Sequence, residues 1–200
     1  MSYSLSLYLV DPAKVRAVIG SGDDKLRRMM GGAYKSEFPR DDDYFDSEIE
    51  RGAPKRYDAL CAVIAGGPFE EEHAWQYGYA YEMVCRFFGR HLNNNSFSPF
   101  RGAWLEEVDK GLARLGITAV EITEFNYGSV PSPLPRPDFV PNYGEWSAEQ
   151  CATALTQWRA STPEQRAELD PEVLEAVESI VDWLERAAAK EGAGVVGFFY

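Results

Sequence analysis

The sequence predicts a mostly helical α+β domain whose first and last segments are strands paired in one small sheet. Three observations carry this expectation. Residues 4 to 10, "SLSLYLV", alternate polar and apolar side chains and then turn wholly apolar, as a partly buried strand does. The final residues, "VVGFFY", are β-branched and aromatic except for Gly197. Between them lie segments with apolar residues at helical spacing, bounded by capping residues and glycines. Neither terminal strand is stable alone, so the economical solution pairs them and packs the helices over the sheet. No internal repeat interrupts the chain, and a closing strand that needs the opening one argues for a single domain over residues 1–200.

The elements follow from local chemistry. Asp11 and Pro12 read as N-cap and first helical position for "AKVRAVI", which Gly20 and Gly22 stop. Asp23 and Asp24 cap "DKLRRMM", with Gly31 and Gly32 expected to end it. Residues 33 to 55 lack periodicity, and "RDDDYFDSEIERG" reads as an acidic surface segment. Tyr57, Leu60, Val63 and Ile64 restore a helix. In "EEEHAWQYGYAYEMVCRFFGRHL" Tyr77, Tyr81, Val84 and Phe88 share one face, and Trp75 and Tyr79 add a second stripe. This marks a central helix buried on two sides.

Asn93 to Asn95 break the chain, "GAWLEEVDKGLARLG" is amphipathic, and "ITAVEI" is a candidate strand. Ser147 with Gln150 forms a capping-box pattern, Thr162-Pro163 opens a short helix, and Asp170-Pro171 opens the longest. The longest helix carries Val173, Leu174, Val177, Ile180, Val181, Leu184 and Ala188 on one face and acids on the other.

The segment "PSPLPRPDFVPNYGEW", residues 131 to 146, is neither Gly/Ser-rich like a flexible linker nor free of folded chain beyond it. Proline lowers the entropy lost in fixing a route. The reading is an ordered strap over about residues 128–146, with Phe139, Tyr143 and Trp146 as anchors.

Composition excludes several function classes. Of the 200 residues, 45% are hydrophobic and 14% aromatic, too many for a disordered chain. A net charge of −12 is repelled by phosphate backbones, which argues against nucleic acid as a partner. The same charge resists self-association, so a monomer or weak dimer is expected. Cys61, Cys85 and Cys151 are far apart, odd in number and set in apolar contexts, as buried thiols in a reducing cytoplasm are. The start of the chain lacks a signal-peptide pattern and the apolar runs are too short for a membrane span, so a cytoplasmic protein without membrane contact is expected.

No motif calls for a cofactor, a metal or a catalytic system. "GSGDDKL" lacks the phosphate-loop spacing, and its acids would repel phosphate. Asp41, Asp43 and Asp46 lack the glycine and twelfth-position glutamate of a calcium loop. His73 and Glu70 share a helix face but have no second ligand pair. No GxSxG elbow is present, and Cys85 sits among large apolar residues, unlike a reactive thiol.

Several stretches together resemble a small bacterial family of unknown function. They are the opening "SLSLYLV" strand, the run "LPRPDFVPNYGEWSAEQ", a helix containing Trp183, and the closing Gly197 to Tyr200. The residues in the run that carry the likeness are Leu134, Pro135, Pro137, Asp138, Phe139, Pro141 and Gly144. The likeness covers the first strand and about the last seventy residues. It implies the fold and carries no catalytic residue. A fainter likeness to another small bacterial α+β group, with strands at both ends, implies the same.

The expected function is binding of a basic protein without catalysis, an immunity- or antitoxin-like inhibitor being its most concrete form. Asp41, Asp42, Asp43, Tyr44 and Asp46 would supply one contact surface, and Glu175, Glu178 and Asp182 on the last long helix another. The alternative is a small hydrolase whose pocket is lined by Tyr79, Glu82, Tyr127 and Tyr143. A structural protein is the third class.

Overall fold

The computed structural model describes residues 2–200. The first half runs β1 (Leu5–Val10), α1 (Pro12–Arg16), α2 (Asp24–Ala33), α3 (Phe38–Tyr44), α4 (Asp46–Glu50), α5 (Arg56–Ala65), α6 (Ala74–Phe88) and β2 (Arg90–His91). The second half runs α7 (Trp104–Arg114), α8 (Glu124–Tyr127), β3 (Asn142–Trp146), α9 (Ala148–Ala160), α10 (Pro163–Ala167), α11 (Pro171–Ala188) and β4 (Gly194–Phe199). The fold is α+β, and the first and last strands pair as expected. Two compact units share the chain. One comprises Met1–Pro12, Gly89–Gly128 and Tyr143–Tyr200, and the other Ala13–Phe88 and Ser129–Asn142.

The first unit is built on a sheet of order β2-β1-β4-β3. β1 and β4 run antiparallel in continuous register from Leu5 opposite Phe199 to Val10 opposite Gly194. Every residue of β4 is buried, which is why its sequence is a continuous apolar run rather than an alternation. The helix α11 lays Ala176, Val177, Ile180, Val181, Trp183, Leu184 and Ala187 into the core against α7, α9 and β4. Its indole N–H donates to the Asn93 carbonyl at 2.8 Å, so the one polar atom of Trp183 is satisfied at depth. The expected capping box closes at Ser147 with Gln150, a second forms at Thr162 with Gln165, and Asp170 caps α11.

Two strand expectations need correction. "ITAVEI" is not a strand. Half of its backbone donors are taken by side chains: Gln157 accepts from the Thr118 and Ala119 amides, and the Asp109 carboxylate accepts from Ile122 at 2.6 Å and from the following Thr123 at 3.1 Å, while the Ile117 amide donates to the Leu112 carbonyl. A segment whose donors are satisfied this way has no ladder to join. Conversely, Asn142–Trp146 is a strand inside the proline-rich run. It starts just past Pro141, where no further proline removes a donor, and it occupies the sheet edge.

In the second unit α5 packs on α6, and α2 and α3 pack on α5. The glycines 31 and 32 do not end α2, which runs on to Ala33. Gly31 is there for proximity: a Cβ would stand 2.9 Å from the Tyr57 ring. The stretch after Gly32 is not irregular either, since it folds into the short helices α3 and α4. At the far end of α6 the Arg86 guanidinium lies over the Tyr34 ring at 4.5 Å and pairs with Glu37 at 2.5 Å. The Tyr34 hydroxyl donates to the Met83 carbonyl at 3.0 Å, which ties the end of α2 to α6.

Identical substitutions at two glycines should have opposite signs. A Cβ at Gly194 would overlap the Trp146 carbonyl oxygen, whereas one at Gly32 meets nothing within 4 Å on an exposed helical turn. Gly194→Ala should therefore lower the unfolding free energy by about 3 kcal/mol. Gly32→Ala should raise it by about 0.5 kcal/mol through lower unfolded-state entropy. Urea unfolding of both variants measures the difference.

Candidate functional site

The second unit carries an acid-rimmed aromatic cleft of about 350 Å³. Its floor comes from two helices. Trp75 and Tyr79 are four apart on α6 and so share a face. Phe45, at the junction of α3 and α4, closes on them, its ring centroid 4.5 Å from Trp75 and 5.6 Å from Tyr79. The rim is Glu48 from α4, Glu71 and Glu72 from the turn before α6, and Asp138 beside Phe139 from the proline-rich run.

The run reaches this place because Gly78 lets it approach. Pro141 and Pro137 lie against Gly78 so closely that a Cβ there would meet the Pro141 ring at 2.8 Å. One expected anchor is corrected. Tyr143 and Trp146 are buried, but Phe139 is 83% exposed and stands at the cleft mouth. It follows Asp138 on a turn between prolines that fix the path, so its ring is displayed instead of packed.

The wall behind the rings is Arg56, 3% exposed. Its guanidinium carbon lies 4.5 Å from the Tyr79 ring centroid and 5.6 Å from that of Phe45. The Asp41 carboxylate is 3.9 Å from its Nε, and the Asp42 carboxylate accepts from the Arg56 amide at 2.8 Å. A buried cation is tolerable only with such partners. Burial pushes the Tyr79 hydroxyl above its ordinary pKa, with nearby Arg56 opposing. Tyr79 therefore stays a neutral phenol.

The residues singled out from sequence fall into different places. Tyr79 lines the cleft, and Glu82 on α6 is half-buried outside its lining. Tyr127 and Tyr143 belong to the other unit. There Tyr127 is 65% exposed and donates to Glu106 at 3.0 Å, while Tyr143 is buried against Phe198 and donates to Glu145 at 2.5 Å. The four thus do not line one pocket.

Of the acidic segment, Asp41 and Asp42 face Arg56, whereas Asp43, Tyr44 and Asp46 are exposed, Tyr44 at 80%. On α11, Glu175 and Glu178 are exposed and Asp182 pairs with Arg186 at 2.8 Å. Glu175, with Glu172, Arg101 and Trp104, lines a separate polar cleft of about 440 Å³ in the first unit. Sequence reasoning missed Phe45, Trp75, Arg56 and Asp138 as one site. The available signal was the pair Trp75 and Tyr79, a second aromatic stripe on a helix already buried on its other face.

The molecule is an α+β protein with an acidic, ring-lined cleft made by the α3–α4 junction, α4, α6 with the turn before it, and the proline-rich run. It belongs to the DUF7691 family, described as a domain of unknown function, whose model matches residues 1–200. Comparison with curated proteins and with solved structures gave no match. No helix among the described residues is long and apolar enough to cross a membrane.

The stacking of Arg56 generates a stability prediction. Arg56→Ala should cost about 2–3 kcal/mol, because it removes the ring contacts and the facing of Asp41 and leaves a cavity behind the rings. Arg56→Lys should recover less than half of that, since an ammonium cannot lie flat on two rings. Urea denaturation midpoints of the two variants provide the check. A second prediction concerns the thiols. Burial pushes Cys151 up to about 12, and Cys85 is fully buried, whereas Cys61 is half-exposed. Mass spectrometry after alkylation near neutral pH should find Cys61 labelled first, and Cys85 and Cys151 only in denaturant.

Proposed function

We propose that this protein works without catalysis by binding a basic protein, through the acidic and aromatic face that surrounds the cleft of the second unit. The observation that carries the reading is the cleft itself: four carboxylates around four aromatic rings, with Tyr44 and Phe139 displayed to solvent. Aromatic rings supply buried area on contact, and carboxylates supply complementarity and steering toward a cation. The net charge of −12 extends the attraction beyond the contact. The exposed Asp43 and Asp46 lie in the same α3–α4 segment as the cleft residues Phe45 and Glu48, and Glu175, Glu178 and Asp182 offer a further acidic stripe on α11.

An immunity- or antitoxin-like inhibitor of a cationic toxin is the most concrete form, acting in the cytoplasm as a monomer or weak dimer, with neither nucleic acid nor membrane as its target. The hydrolase alternative loses ground on geometry, because the cleft carboxylates are exposed or half-buried and Tyr127 and Tyr143 lie outside the cleft lining. A general acid needs a carboxyl held in an apolar surrounding within reach of substrate.

Affinity capture from cells of the source species, with the captured protein identified by mass spectrometry, tests the reading. The expected catch is a protein of high isoelectric point, eluted by salt and lost with Asp43→Asn/Tyr44→Ala/Asp46→Asn. Once purified, its own activity should fall when the protein is added. Capture of acidic or neutral proteins only, or retention unchanged by the triple substitution and by salt, would sink the proposal.

A further inference from the structure

We infer that the cleft reads arginine: it takes one arginine side chain of the basic partner in preference to a lysine. The inference rests on the docking reading above and deepens it by naming the anchoring group.

Phe45 meets Trp75 at 44° and Tyr79 at 45°, while Trp75 and Tyr79 stand at 83° with centroids 6.3 Å apart. Rings tilted in this way present faces and edges around a box instead of a flat floor. A planar cation finds a π-face there in more than one orientation.

The same rings already hold a guanidinium. Arg56 lies over Tyr79 and Phe45 from within the protein, and it remains there while almost wholly excluded from water. Guanidinium is more weakly hydrated than ammonium and keeps its charge on desolvation, so an aromatic box favours it over lysine. None of the residues lining the cleft is basic, so the rim carboxylates face an incoming cation without a lining competitor. Carboxylates accept the guanidinium fork in pairs, a geometry a point charge cannot use.

A volume of about 350 Å³ lies at the low end for ligand pockets and suits one long side chain, not a folded loop. Phe139 stands exposed at the mouth, where the methylene stem of an arginine would cover it.

The test titrates the full chain calorimetrically with arginine, lysine and citrulline oligomers of equal length, at physiological salt. The arginine oligomer should bind about tenfold tighter than lysine, and the neutral, isosteric citrulline oligomer should not bind. Glu71→Gln/Glu72→Gln should weaken both cationic oligomers. Trp75→Phe and Phe139→Ala should each narrow the arginine preference, and Phe139 is exposed, so its replacement leaves folding intact, as a melting curve verifies. Equal affinity for arginine and lysine, or a preference untouched by both aromatic substitutions, overturns the inference. If both cationic oligomers bind equally and the glutamate variant loses them, docking on the acidic face survives and the arginine site does not. If neither binds, both ideas fall together.

Discussion

The antiparallel pairing of β1 with β4 is the contact on which the first unit depends. It joins residues near the two ends of the chain, and bringing them together costs about 5 kcal/mol of loop-closure entropy. The partners are therefore strongly apolar. Leu5, Leu7 and Leu9 on one strand and Val195, Val196 and Phe198 on the other are all buried, and burial of such side chains is what offsets the closure. The pairing also explains the strand glycines. Gly197 sits where a Cβ would come within 2.6 Å of the Phe125 ring and 2.9 Å of Leu7, so the aromatic core of Phe125, Trp146 and Trp183 can close over the sheet.

In the second unit a buried cation plays the organising part. Arg56 sets the first turn of α5 through Asp42, faces Asp41, and lies over Phe45 and Tyr79. Acids that look like a solvated run in sequence thus divide by geometry. Asp41 and Asp42 turn inward to stabilise a helix start and a buried charge, and Asp43, Tyr44 and Asp46 turn outward. The outward set lies in the segment that delivers Phe45 and Glu48 to the cleft.

How much was legible follows from the range of each interaction. Local patterns were readable. The caps at Asp23, Ser147, Thr162 and Asp170, the amphipathic face of α11 and the two terminal strands all depend on residues a few positions apart. Long-range competition was not. "ITAVEI" has the composition of a strand, but Asp109 and Gln157, distant in sequence, take its donors. Gly31 looks like a helix stop and is instead a contact point for Tyr57. Nor does spacing along α6 reveal that its second aromatic stripe meets Phe45 across a helix junction.

What the sequence by itself determined was the α+β class, the pairing of its ends and the position of most helices, because hydrophobic period and capping chemistry act within single elements. Only the tertiary structure decided which acids face water, which aromatics are displayed, and where a cleft opens. Those outcomes depend on side chains brought together from the α3–α4 junction, α4, α6 and the proline-rich run, whose meeting is a property of packing. Phe139 shows the difference most plainly. Its sequence context marks an anchor, and the turn between Pro137 and Pro141 leaves it standing at the mouth of the cleft.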